Sequence, residues 1–373
     1  MILNDYIATF SEEPGYLDFA SVGPVGRTVE EEQHALTRML STGRFGTLGA
    51  LREQEPRLRV AVANLIGFRE DQVVFQPNTS EGLMHTMFGV TGGVALSAAE
   101  FPSLPFAAVR SAEALGVLKP LWLETDHGRV TPGNLRDQLT SSVEAVAVSL
   151  VDFRTGYLVD LEGIRQVIGD RLLIVDASQG FGVVDAPFAL ADVVVSCGRK
   201  WTRAGWGTGF LAVSDRAADH LTPVFSGFTG TGSPELPVDE VPPPARGATA
   251  FQLANGDPIA QARFAVALEE IAAVGVPAIN DLIAHNVSRI IDLADEYAVP
   301  VVSARDESER AGIAILEPAP DQLTVLTASL FNHGVSTTVR GGQVRVSPHV
   351  STTEETFDML RASFVSFASA IQV

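Results

Sequence analysis

Two lysines occur in the 373 residues, and the other 24 of the 26 basic residues are arginines. One of the two, Lys200, stands in the run Ser196-Cys197-Gly198-Arg199-Lys200-Trp201. An apolar stretch, Val193-Val194-Val195, leads into it, and Gly205-Trp206-Gly207-Thr208-Gly209 follows. An amine can lose its proton and attack a carbonyl, which a guanidinium cannot do. A lysine kept in such a context points to Schiff-base chemistry. The other lysine, Lys119, precedes Pro120, where a loop or strand end is expected.

A carboxylate lies at a useful distance upstream. The run Leu172-Leu173-Ile174-Val175-Asp176 reads as a buried strand ending in an acid. In a parallel α/β sheet that position is the ligand-binding edge. The 24 residues from Asp176 to Lys200 leave room for a crossover and a further strand, so amine and carboxylate converge at one edge. A lysine to bind an aldehyde and an acid to hold a proton on a ring nitrogen are what pyridoxal phosphate requires of a protein. A phosphate cradle is also present. Phe75-Gln76-Pro77-Asn78-Thr79-Ser80-Glu81-Gly82 follows a strand and opens a helix, where free N–H groups and hydroxyls bind an anion. Glu81 is expected to support the helix start.

These residues need a scaffold. Short apolar runs at 72–75, 94–97, 118–123, 145–151, 172–175, 193–196 and 209–213 read as strands. Many are separated by helix-like spacers, which implies a mostly parallel sheet with helices on both faces. A helical pattern runs from Asp257 to about Tyr297. A strand at 313–316, a hairpin turning at Gly341-Gly342 and a final helix complete a smaller α+β part. Ser351 and Thr352 each precede a glutamate by three residues, the capping-box spacing. Residues 1–256 are therefore read as an N-terminal segment with the large domain, and 257–373 as an interdomain helix with the small domain. The Gly/Pro-rich stretch 225–247 is a long loop of the functional kind.

Composition narrows the class. A net charge of −19 argues against nucleic-acid binding. One cysteine leaves no internal disulfide and no zinc–cysteine site, and no metal is expected. The first residues lack a basic, apolar leader pattern. Residues 82–99 carry no Asp, Glu, Lys or Arg, yet His85 and Thr91-Gly92-Gly93 interrupt them, so a helix and a strand are expected rather than a membrane span. A cytoplasmic enzyme is the expectation. No Gly-x-Gly-x-x-Gly follows the first strand, which disfavours a dinucleotide-dependent dehydrogenase. The retained Lys200, Asp176 and Arg345 oppose a non-catalytic scaffold.

Together these residues resemble the class V aminotransferase family of fold-type I pyridoxal-phosphate enzymes, which includes cysteine desulfurases, kynureninases, isopenicillin-N-epimerase-like proteins and carbon–sulfur lyases. The resemblance runs from Tyr16-Leu17-Asp18-Phe19-Ala20-Ser21 to Arg345-Val346-Ser347-Pro348-His349. It implies that Lys200 binds the cofactor and that Asp176 pairs with its ring nitrogen. It places Gln179 near the phenolic oxygen, Thr79 and Ser80 on the phosphate, and Phe101 against the ring. Asn255 matches a position that reaches the partner's site in a homodimer. Arg345 matches the arginine that grips a substrate carboxylate, with Arg340 as its nearest rival. Ala20, Ser21, Ser149 and Arg154 fall beside the substrate, the last two in a loop like that of kynureninase.

The pattern is not followed everywhere. Arg199 replaces the usual His or Tyr before the lysine, and Cys197 replaces a phosphate-binding serine, with Ser196 one place earlier. Which of Ser196, Cys197 and Arg199 meets the phosphate stays open. The implied activity is a reaction at the α carbon of a small amino acid or amine, with transamination first. Lyase chemistry of the kynureninase or carbon–sulfur type, or epimerisation, is the alternative. A desulfurase needs a second-domain cysteine to take up sulfur. The single cysteine lies three residues before Lys200, which argues against that activity.

Overall fold

Alternating burial builds the main sheet. In Leu172–Asp176, Leu173 and Val175 face one apolar core while Leu172 and Ile174 face the other. A strand apolar on both faces belongs in the middle of a sheet covered by helices on both sides. The computed structural model describes residues 1–233 and 235–371 and has this arrangement. Seven strands, β1 (Val73–Phe75), β2 (Gly92–Ser97), β3 (Leu118–Leu123), β4 (Val143–Ser149), β5 (Leu172–Asp176), β6 (Val193–Cys197) and β7 (Gly209–Val213), form one sheet in the order β1-β7-β6-β5-β4-β2-β3. Helices Thr79–Gly89 and Ser103–Leu115 cover one face through Leu83, Met87, Leu104 and Ala107. Helices Gln54–Ile66, Leu161–Ile168 and Pro258–Val274 cover the other through Leu58, Ile164 and Phe264.

The strand β7 alone runs against its neighbours, antiparallel to both β6 and β1. The reason is the connection: residues 198–208 contain no helix, and a parallel return needs a crossover of a dozen or more residues. That helix-free connection carries Lys200. Lys119 and Pro120 lie inside β3 rather than at a strand end. This strand is the sheet's edge, where a proline costs no ladder bond and a lysine guards against edge pairing.

A second sheet, of β8 (Ala314–Leu316), β9 (Thr338–Arg340) and β10 (Gln343–Val346), is antiparallel in the order β8-β10-β9. The hairpin turns at Gly341 and Gly342, both at positive φ (58° and 85°). The helical stretch after Asp257 is two helices, Pro258–Val274 and Val276–Glu296, broken at Gly275 with φ 93°. The final helix, Glu354–Ile371, starts later than the capping-box spacing suggests: Thr353 Oγ1 accepts from Thr356 N at 3.3 Å, and neither Ser351 nor Thr352 caps it. Residues 16–19 pair with the small sheet's surroundings, Leu17 N donating to Ser336 O and Ser347 N to Leu17 O. Gly23 N donates to Arg199 O just after β6, so the start of the chain ties the two sheets together. Among the described residues no helix is long and apolar enough to cross a membrane.

Candidate active site

The strand ends set the geometry. Ser149 at the end of β4 is in register with Asp176 at the end of β5, and Asp176 with Val195 of β6. All three strands are parallel, so their C-terminal ends open on one edge. Lys200 follows β6 by three residues, held in a tight loop. Gly198 N donates to Thr208 O, and Ala204 N to Gly198 O. A Cβ on Gly198 would lie 2.5 Å from Thr208 Oγ1 and 2.8 Å from the Phe264 ring, so only glycine fits this approach. Gly23 presses on the same loop, its N–H donating to Arg199 O at 2.8 Å.

Lys200, Asp176, Phe101, Ser149, Gln179 and Phe153 line one enclosed pocket, with Val151 and Ser178. The space they enclose is about 10 Å³, and the open volume lies next to it. The Lys200 ammonium sits 5.4 Å from the centre of the Phe101 ring. Burial pushes this amine down; Cys197 and Asp176 oppose the shift, and Arg199 and Arg345 add to it. Burial likewise pushes the Asp176 carboxyl up, against hydrogen bonds from Ser178 and the charge of Lys200. Ser178 N donates to Asp176 Oδ1 at 2.9 Å. A buried acid and a buried amine, each held away from its charged form, are groups poised to meet a cationic ring nitrogen and a carbonyl.

The anion cradle adjoins this pocket. Thr79 opens the helix Thr79–Gly89, and its Oγ1 lies 2.7 Å from Ser178 Oγ. Ser80 is exposed and bonds Ser103 Oγ at 2.7 Å, joining two helix starts. Glu81 serves the helix, as expected: its N–H meets Asn78 Oδ1 at 3.0 Å, and its Oε1 accepts from Asn78 Nδ2 at 2.8 Å. Cys197 and Arg199 sit together, Arg199 Nη1 being 3.9 Å from Cys197 Sγ, and Arg199 lies over the Trp206 ring at 4.7 Å. By strand alternation Cys197 shares the face of Val195, the side packed by the helix Thr79–Gly89. Ser196 points the other way, fully buried, its Oγ without a partner among the described residues.

Other expected residues are placed less simply. Gln179 reaches the pocket but is already engaged: Nε2 donates to Ala20 O at 3.0 Å, and Oε1 accepts from Trp201 Nε1 at 2.8 Å. Ala20 contributes that carbonyl and is itself buried. Ser21 Oγ accepts from Arg345 Nη2 at 2.7 Å. Asn255 is exposed and lines a groove with Glu55, Pro77 and Trp206, apart from the Lys200 pocket of its own chain.

A cleft of about 530 Å³ opens beside the pocket, with Phe153 lining both. Arg154, Arg340 and Arg345 line this cleft. Val344 and Val346 are buried on the opposite side of β10 from Arg345, as strand alternation requires. Sequence reasoning passed over Phe153, whose ring meets Phe101 edge-on at 5.3 Å. It also passed over Glu100, whose carboxyl accepts from Ser149 N at 3.2 Å and is pushed up to about 7 by burial, with Asp152 and Asp176 adding to the shift. A phenylalanine between two motif residues and an acid beside an aromatic give no signal of their own in one sequence.

Residues 25–241 match the family described as Aminotransferase class-V. The chain belongs to that family. It is therefore a class V pyridoxal-phosphate-dependent enzyme, and the paired Lys200 and Asp176 beside a helix N-terminus fit that cofactor. The chain is 29% identical over 331 residues to a probable hercynylcysteine sulfoxide lyase of Mycobacterium tuberculosis, covering 84% of this chain and 79% of that one. Its fold is shared with the cysteine desulfurase of Thermococcus onnurineus NA1, at a TM-score of 0.82 and 20% identity, over 96% of this chain and 94% of the other. It is shared too with a C-DES mutant that has glycine covalently linked to its pyridoxal-phosphate cofactor, at a TM-score of 0.84 and 16% identity, covering 94% and 96%.

Proposed function

We propose that the protein is a lyase that removes a sulfur substituent from the β carbon of a cysteine-derived amino acid, with Lys200 and Asp176 as its catalytic pair. The observation that carries the reaction centre is the buried amine and buried carboxyl lining one pocket at the sheet edge. The choice of elimination over the transamination expected first is supported by the likeness to the sulfoxide lyase over most of both chains. The bound cofactor supplies an electron sink for the pair left at the α carbon.

The residues divide the remaining work. Lys200 would hold the cofactor's aldehyde, and its neutral amine would move the α proton. Burial keeps that amine neutral more readily than a surface lysine. Asp176 would hold a proton on the cofactor's ring nitrogen, and Phe101, which lines the same pocket, would support the ring. Thr79, the adjacent helix N-terminus, Cys197 and Arg199 hold the phosphate. Ser196 is left out of that set because it faces away. Arg345 orients the substrate carboxylate through a charge-assisted bond. The sole cysteine is buried at the end of β6, so no cysteine is offered over the cleft to take up sulfur. That supports elimination over desulfuration. The same reading includes a large domain of residues 1–256, a small one of 257–373, and a homodimer in which Asn255 completes the partner's site.

The test is a product balance on the holoenzyme with S-methylcysteine sulfoxide and no keto acid. Elimination breaks the Cα–H and Cβ–S bonds, releases a sulfenic acid, and leaves 2-aminoacrylate, which water converts to pyruvate and ammonia. Pyruvate and ammonia in equal amounts support the lyase. A keto acid that retains its sulfur, formed with the amino group left on the enzyme, would replace it with an aminotransferase.

A further inference from the structure

We propose that the cleft beside Lys200 takes an amino acid whose side chain ends in a second anion, with Arg345 gripping the α-carboxylate and Arg154 and Arg340 gripping the distal group. The inference deepens the function proposed above and rests on the Lys200 pocket being the place of reaction.

The cleft is unusual for this chain. Net charge is −19, yet the cleft is lined by three arginines and a single acid, Glu317, whose Oε1 is taken by Gln343 Nε2 at 3.0 Å. Two of the arginines are only partly used. Arg345 contacts Ser21, Thr338 and Asp18, at 2.7, 3.3 and 3.5 Å, through Nη2 alone. Arg154 contacts Asp152 Oδ2 at 3.2 Å and His127 O at 3.4 Å, again through Nη2 alone. Among the described residues the Nε of each is buried without a partner. A guanidinium offers five donors, and its planar fork suits a carboxylate or sulfinate. Among the described residues, unpartnered Nε atoms occur also at Arg59, Arg129, Arg199, Arg263 and Arg310, which line no part of this cleft. What distinguishes Arg154 and Arg345 is the shared cavity they face.

The arginines also stand at two different stations. Arg345 meets Ser21 Oγ at 2.7 Å, and the neighbouring Ala20 carbonyl accepts from Gln179 of the Lys200 pocket at 3.0 Å. Arg154 and Arg340 both lie over Phe153, their guanidinium carbons 5.8 and 5.7 Å from its ring centre. Phe153 is the wall between the Lys200 pocket and the cleft. The pair therefore marks the outer part of the site, while Arg345 marks the inner part. The backbone is shaped to seat Arg154. Gly128, at φ 80°, lies under it, and an added Cβ would come 1.7 Å from Arg154 Nη2. Arg340 has no carboxylate within 4.0 Å among the described residues, so its charge is free for a ligand.

The probes are unreactive acids added to the holoenzyme: succinate, glutarate and adipate against butyrate, pentanoate and hexanoate. Binding is read by calorimetry, apart from turnover. At least one dicarboxylate is expected to bind about 30-fold or more tighter than its monocarboxylate match. Arg340→Met, at an exposed position that leaves folding intact, and Arg154→Met should each erase most of that advantage and leave monocarboxylate binding unchanged. Arg345→Met should weaken both series. Equal affinity for the two series, or an equal loss on both in the Arg154 and Arg340 variants, would overturn the proposal. The Lys200 reading is tested separately by the cofactor's visible absorbance in the same preparations. An intact band with no dicarboxylate preference sinks this inference alone, and a missing band sinks the reading beneath it.

Discussion

Replacing Glu100 by glutamine tests the electrostatics of the pocket without touching Lys200. Glu100 is half-buried at the end of the turn after β2, and its carboxyl is pushed from 4.5 to about 7, chiefly by desolvation. A carboxyl raised in the folded state contributes stability that is complete below its unfolded value and lost as pH rises through its folded one. The window here is therefore about pH 4.5 to 7. Each pH unit across it is worth about 1.4 kcal/mol, giving roughly 3 kcal/mol by pH 8. Partial solvent access reduces this to about 1–3 kcal/mol. Glutamine keeps an oxygen to accept from Ser149 N and carries no charge. Thermal unfolding of cofactor-free Glu100→Gln and its parent, at pH 5 and pH 8, reads the difference. The variant should melt a few degrees higher at pH 8 and nearly level with the parent at pH 5. An equal shift at both values, or a lower melting point at pH 8, would show that Glu100 is not held near neutrality.

Three further outcomes follow from the same contacts. Arg203, in the loop that carries Lys200, is 1% exposed, pairs with Glu12 at 2.5 Å and bonds Ser351 at 2.8 Å. Arg203→Met should cost about 3–5 kcal/mol in denaturant unfolding, because it strands the Glu12 carboxylate; a loss under 1 kcal/mol would mean the pair is solvated. Asp176→Asn should keep the cofactor's absorbance and lose about 30-fold or more in kcat/KM, and undiminished turnover would remove Asp176 from the mechanism. On the proposed shared site, Lys200→Ala and Asn255→Ala should each be inactive and their mixture should recover activity, since one site of a mixed dimer has neither defect; no recovery from proven mixed dimers would refute the shared site.

How legible the site was depended on whether a residue's role shows in its local run. Asp176 and Lys200 could be paired because a crossover and β6 fill the interval between them, and the structure puts both in one pocket. Phe101 and Ser149 arrive there for the same reason, each at the end of a strand or the turn after one. The antiparallel β7 was hidden because strand patterns carry no direction; only the missing helix at 198–208 reveals it. The engagement of Gln179 by Ala20 and Trp201 depends on residues 159 and 22 positions away. The partition by Phe153 depends on its contact with Phe101, 52 positions away. The helix start at Thr353 rather than Ser351 or Thr352 reflects hydroxyls at several adjacent positions, among which spacing alone does not choose.

The central claim is that Lys200 carries the cofactor, and reduction of the holoenzyme with borohydride tests it most directly. The chain's two lysines make the outcome simple to read, since Lys119 lies exposed on the edge strand β3. Peptide mass mapping should find the reduced cofactor on the peptide containing Lys200, at one per chain, and none on that containing Lys119. A reduced protein with an unmodified Lys200 peptide would contradict the account.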